Sequence, residues 1–419
     1  MQRLVVVAGL LGWQLAMAVP AHAGAGDLDP RFGTGGKVVT DFAGQLDEAF
    51  AVAVQGNGKI VAAGGADESD VSALDDFALA RYRSDGTLDP GFGLGGTVKM
   101  DFTGAGGDDR VNALAVQANG RLVAAGHALS DWALARFRHD GTLDPSFGVG
   151  GKVTTALGGQ IRALAVQADG KLVAAGTAGS DFALARYNPD GTLDAGFGTG
   201  GIVTTDFPGV FFAEAHALAI QANGQLVAAG SAGAAAFALA RYDADGTLDP
   251  GFGTGGIVTT AFGGFFTEAN ALVVQGNGKI VAAGQNFGTT SDFALARYRA
   301  DGTLDAGFGV GGTVTTGFAG GGTAAGLVVQ EDGKLVAAGT ADPGTGSGPD
   351  FALARYRHDG SLDPGFGVGG KVTTDFGAGG IDRANALVAQ ADGRLVAAGS
   401  PNNYFGFGSD FALARYRAG

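Results

Sequence analysis

The chain has 419 residues, 79 of them glycine and none cysteine, and 46% of the residues are apolar. That apolar share excludes a low-complexity disordered chain, and the missing cysteines exclude a disulfide scaffold, so stability has to come from packing. With 41 acidic against 27 basic residues, a formal charge of −14 and no Lys/Arg run, a nucleic-acid partner is not expected.

Met1 to Ala23 places Arg3 ahead of an apolar stretch from Leu4 to Val19, followed by the small-x-small site Ala21-His22-Ala23. This reads as a secretory signal peptide over residues 1–23, with residues 24–419 forming one exported domain in the periplasm, at the cell surface or outside. The stretch is short for a membrane anchor and no second apolar run of membrane length follows, so no span is expected after cleavage.

From Leu28 onward one unit recurs. The segment LDPxFG or LDAxFG begins at Leu28, Leu88, Leu143, Leu193, Leu248, Leu304 and Leu362, a period of about 50–60 residues. Each full unit reads as four short strands, which in the second unit are Ala113 to Gln117, Leu122 to Gly126, Trp132 to Arg138 and Lys152 to Thr155. Asn-Gly or Asp-Gly turns such as Asn119-Gly120 and Asp169-Gly170 make the first two strands antiparallel neighbours. A second Asp-Gly turn (Asp140-Gly141, Asp190-Gly191) follows the third strand, and a Pro/Gly-rich bend leads to the fourth.

The second strand carries Val-Ala-Ala-Gly in all seven copies, small and apolar on both faces, as expected of a strand between two sheets. The third alternates Phe182, Leu184 and Arg186 with Ala183, Ala185 and Tyr187, bulk on one face and small residues on the other, so a copy can interlock with the next. Lys37 to Phe42 is a fourth-type strand with no first three before it, and Ala386 to Arg417 supplies first, second and third strands with no fourth after them. The two ends complete each other. The expected fold is all-β: a seven-bladed β-propeller of four-stranded antiparallel blades, closed by the N-terminal strand joining the C-terminal blade, with no open edges and no need of a second copy.

The string DGKLVAAG followed by DFALARYxxDGxLDxxFGxGG resembles the delta-60 repeat family of bacterial exported proteins, over essentially all of Leu28 to Gly419. The resemblance implies a propeller and no catalytic motif. This chain's departures include loop lengths and Trp132 in place of Phe.

With the first strand innermost, the turns after the first and third strands share one face, nearly invariant among copies, and the remaining loops share the opposite, divergent face. Divergent loops on a rigid scaffold are where a specific surface can be built. On them lie Phe211 and Phe212, Phe265 and Phe266, Phe287, and Tyr404, Phe405 and Phe407. These rings either fold back as lids over the blade tops or form a patch for a protein or glycan partner. Asp67, Glu68, Asp70, Asp108 and Asp109 read as an acidic, solvated edge of the same face, a kind of loop that can also bind calcium. Asp243 to Gly246 with Asp249 lacks the ligand spacing of a calcium loop and reads as an ordinary turn.

His127, His139, His216 and His358 form no cluster with ligand spacing, and no HExxH or GxSxG is present, so no metal, cofactor or catalytic residue is assigned. A hydrolase or lyase with a polar site at the central mouth remains the alternative, as does a purely structural envelope component. Against the enzyme, the first strands read Ala-Leu-Ala-Val-Gln. Finally, Arg81, Arg136, Arg186, Arg241, Arg297, Arg355 and Arg415 recur in the third strand with an Asp eight residues on in each copy that continues, which predicts Arg bonds to the LDPxFG bend.

Overall fold

The computed structural model describes residues 24–43, 46–69, 72–103, 107–346, 348–377, 380–402 and 408–418. Seven four-stranded antiparallel sheets account for its secondary structure. The seven first strands touch one another in a closed circuit, Asp47–Val54 of blade 1 meeting Ile381–Ala389 of blade 7, and so surround the axis of a β-propeller.

Ring closure follows the expectation from the sequence. Lys37–Thr40 pairs antiparallel with Phe411–Tyr416, in the register Lys37 to Ala414 and Thr40 to Phe411, and completes blade 7. No helix of the described residues is long and apolar enough to cross a membrane.

Blades interlock through the third strands. Phe182 and Leu184 of blade 3 pack with Ala228, Ala238 and Ala240 of blade 4, while Ala183 and Ala185 face Leu134 and Trp132 of blade 2. Each such Phe or Leu contributes roughly 1.5–3 kcal/mol by burial. The small face is not small throughout, because Tyr187 is also there, fully buried, with its hydroxyl 2.9 Å from Thr155 Oγ1 of the preceding blade. The same rivet recurs as Tyr82 to Thr40, Tyr242 to Thr205, Tyr298 to Thr260, Tyr356 to Thr316 and Tyr416 to Thr374. Burial raises each of these phenols well above its ordinary range, so all stay neutral donors. Trp132, the departure from the repeat, is fully buried and donates its indole N–H to the Thr177 carbonyl at 2.6 Å.

The first strands begin earlier than their apolar pattern suggests: in blade 2 the strand is Asp109–Val116, and a register shift falls between Val111 and Ala113. Equivalent shifts occur in all seven blades, leaving Phe50, Asn112, Arg162, His216, Asn270, Ala325 and Asn385 as bulge residues. The bulge explains the glycine of Val-Ala-Ala-Gly, since a Cβ on Gly64 would sit 1.8 Å from the Glu48 carbonyl oxygen. Bulges re-aim side chains, and these do so around the axis.

Candidate functional site

On the invariant face every arginine of the third strand meets an aspartate of the bend. Six pairs, from Arg81 with Asp89 to Arg355 with Asp363, span 2.6 to 3.0 Å, and in blade 7 Arg415 takes Asp29 from the N-terminal segment at 3.0 Å. The Nη1 of each arginine also donates to a main-chain carbonyl of a neighbouring blade's turn, such as His139 for Arg81 and Ser84 for Arg415. Each guanidinium further stacks on the bend phenylalanine, as Arg186 does on Phe197 at 4.6 Å. Pairing and stacking of this kind use both the fork and the planar face of the guanidinium. The Lys171 ammonium, with the Gly196 amide and Arg186, outweighs burial and holds Asp194 down at about 2; Lys279, with the Gly307 amide and Arg297, does the same for Asp305. His139 and His358 are exposed here, and Asp245 accepts from the Thr247 amide and hydroxyl as an ordinary turn residue. This face holds the ring together.

The divergent face differs at its centre and at its rim. Around the mouth, the bulge residues and the residues two before them form polar bridges between blades. Asn112 donates to the Ile161 carbonyl at 2.9 Å, Asn270 to that of Ala324 at 3.1 Å and Asn385 to that of Ala49 at 3.0 Å. His216 sits 2.8 Å from Glu214 Oε2 and 2.9 Å from Asn270 Oδ1, and its bond lowers the Glu214 pKa against burial, with Arg162 nearby. Glu268 accepts from Gln285 at 3.0 Å, and Arg110 stacks on Phe50 at 4.7 Å. The expected apolar mouth is therefore polar. These residues precede the Ala-Leu-Ala-Val run that marks the first strand, and only the continuation of alternation upstream of Ala113 could have revealed them. Both ring nitrogens of His216 are engaged, one by Glu214 and the other by Asn270.

At the rim, Phe211 is 100%, Phe265 77%, Phe212 49%, Phe287 47% and Phe266 38% exposed, so these five rings are not lids. Phe266 pairs with Phe287 across one hairpin, and the Phe265 amide donates to the Phe287 carbonyl at 2.7 Å. The Phe212 carbonyl accepts from Gly233, and Ala235, two residues on, bridges to Thr267 beside Phe266. One blade-4 loop thus joins the two phenylalanine groups. Tyr404, Phe405 and Phe407 lie outside the described residues, as do Met1 to Ala23.

The expected acidic edge is corrected in part. Asp108 is half exposed, but Asp109 and Asp67 are buried, and Asp109 lies with Asp76 and Asp101 rather than with its sequence neighbours; Asp70 and the Glu68 side chain lie outside the described residues. Two further groups could hold a metal in the same way: Asp41 with Asp47 and Asp410, and Asp350 with Asp375 and Asp382. A groove of 760 Å³ at the outer strand of blade 6 involves neither the five phenylalanines nor the mouth.

The profile of a domain of unknown function described as a β-propeller, DUF5122, matches residues 55–92, 117–147, 167–197, 221–252, 275–308, 330–366 and 390–419, one match for each blade. The chain belongs to the DUF5122 family. In this DUF5122 propeller each match begins at the Gln that follows the first strand, and all but the last run into the LDPxFG bend, so the loops after the fourth strands fall between matches while those after the second strands, with Phe287, fall within. No curated protein matches the chain. Among solved structures, it is similar to Drosophila Plexin A in complex with Semaphorin 1b (10% identity over 90% of this chain and 86% of that one, TM-score 0.47). It is also similar to an α-L-arabinanase of Penicillium chrysogenum complexed with arabinobiose (12%, 93% and 96%, TM-score 0.45). A third is a catalytically inactive virginiamycin B lyase from Staphylococcus aureus with quinupristin (11%, 74% and 84%, TM-score 0.42). At such identities the likeness concerns fold alone.

Proposed function

We propose that this propeller is an exported, monomeric, non-catalytic scaffold that binds a protein or glycan partner over its divergent face, with Met1 to Ala23 as the signal that exports it. Its repeats are of the delta-60 type of bacterial exported proteins. The observation that carries the binding role is the exposure of Phe211, Phe212, Phe265, Phe266 and Phe287 on loops tied together through one blade-4 connection. Exposed rings on neighbouring loops risk aggregation, and a partner is the physical reason to keep them. The amide, acid and imidazole groups of the mouth give the partner hydrogen-bonding groups beside the apolar rim.

The test is paired. Phe211→Ser with Phe265→Ser is assayed for melting temperature, for capture of partners from an envelope extract and for binding on a glycan array. Unchanged melting with lost capture or glycan binding supports the scaffold; binding that survives both substitutions overturns it. The alternative, a hydrolase or lyase at the central mouth, is favoured only by the pairing of His216 with Glu214.

A further inference from the structure

Blade junctions are sevenfold copies of one another, so each supplies a control for the rest. At each, three positions converge on the divergent face: the residue just before the repeat's Phe or Trp in the third strand, the residue just after the outer strand, and the residue three before the bulge of the next blade's first strand. Between blades 7 and 1 they are Asp410, Asp41 and Asp47; between blades 1 and 2, Asp76, Asp101 and Asp109; between blades 6 and 7, Asp350, Asp375 and Asp382. In each set one oxygen per carboxylate lies within 4.8 Å of the other two. At the remaining four junctions the third position is Gly159, Ala213, Thr267 or Gly322, and no set is complete.

The third aspartate is the costly one. Asp47, Asp109 and Asp382 are 0%, 0% and 2% exposed. One oxygen, Oδ2, accepts from a loop amide: Phe42 at 2.7 Å, Phe102 at 2.8 Å and Phe376 at 2.6 Å. The other, Oδ1, is buried in each with no hydrogen-bond partner. Among the described residues no Lys or Arg forms an ion pair with any of these three, and the flanking Lys37 and Lys152 spend their ammonium groups on the carbonyls of Asp375, Asp101 and Phe102. A buried orphan acceptor of this kind, made three times where Thr267 shows that a neutral residue fits, calls for a cation.

We propose that these three junctions each bind one divalent cation of the calcium class, clamping blade 7, the blade assembled from both ends of the chain, to its neighbours and blade 1 to blade 2. Oxygens about 2.4 Å from one calcium ion can lie at most about 4.8 Å apart, a limit that each set meets, and carboxylate with water ligands suits this hard cation. Asp41 and Asp375 are exposed and Asp101 is partly so, giving the ion a way in and room for its waters.

The full chain, freed of metal with EDTA and dialysed, is titrated with calcium chloride in a calorimeter, with melting followed in parallel. About three ions per chain and a raised melting temperature are expected. Asp47→Thr, Asp109→Thr and Asp382→Thr copy the natural Thr267, and each should fold without metal and lower the stoichiometry by about one. An absence of saturable calcium binding by the wild-type chain overturns the proposal, as does binding that persists in the triple variant. Failure of a variant to fold leaves the wild-type titration to decide. Phenylalanine substitutions on the rim are expected to leave calcium stoichiometry untouched, which separates this proposal from the scaffold reading.

Discussion

Two sets of aspartates lie at opposite ends of the same strands, and they show how position alone decides what a carboxylate does. On the invariant face each aspartate of a bend faces a guanidinium, and Asp89, Asp194 and Asp305 are held down at about 2. For Asp89 this happens against burial, through Lys59, the Gly91 amide and Arg81. On the divergent face Asp47, Asp350 and Asp382 face other carboxylates and are pushed up to between about 6 and 7, chiefly by burial. The first arrangement occurs in all seven blades and the second at three consecutive junctions. A feature required by the repeat is present wherever the repeat is; one present only on part of the ring serves something that the repeat itself does not require.

The severest way to break the comparison is to remove what both ends share, the closing strand. Deleting Ala25 to Phe42 removes the partner of Phe411–Tyr416, the carboxylate of Arg415 and the exposed member of one aspartate set. Aggregation and loss of cooperative melting are expected, checked by light scattering and differential scanning calorimetry. Next, Arg297→Ala strands the buried Asp305 with Lys279 alone, and a loss of about 3 kcal/mol is expected by denaturant titration. Arg186→Lys keeps the charge but loses the fork that spans Asp194 and the next blade's turn, so about 1–2 kcal/mol is expected in the same assay. Tyr298→Phe, which copies Phe137 of blade 2, should cost about 1 kcal/mol through the orphaned Thr260 hydroxyl.

Acid sharpens the contrast. Asp194 and Asp305 titrate at about 2 in the folded chain, below an ordinary 3.8, so they stabilise the fold fully above about pH 4 and that contribution fades as pH falls through about 2. A stability profile across that window should drop in the wild-type chain, and less in Arg297→Ala, where part of the pairing is already gone.

The architecture was legible because it is written seven times: the Gly turns, the alternation around Phe182 and the complementary termini at Lys37 and Arg417 each stated part of the ring. The Arg186 to Asp194 pairing was legible for the same reason, a fixed spacing repeated. The site was less so. Asn112, Glu214 and His216 precede the apolar run by which the first strand is recognised, and only a bulge, invisible in composition, brings them to the mouth. Asp41, Asp47 and Asp410 are scattered over the whole chain and meet only because the ring closes between them. Single residues gathered by closure leave no local pattern to read.

The central claim is that the invariant face holds the ring while the divergent face is free to do something else. It is tested most directly by comparing the melting temperatures of Arg186→Ala and of Phe211→Ser with Phe265→Ser in one calcium-containing buffer. The arginine variant should melt about 4 °C below the wild-type chain and the double phenylalanine variant within about 1 °C of it. A double phenylalanine variant that melts as low as the arginine variant would show that the exposed rings carry the fold, and would contradict the account.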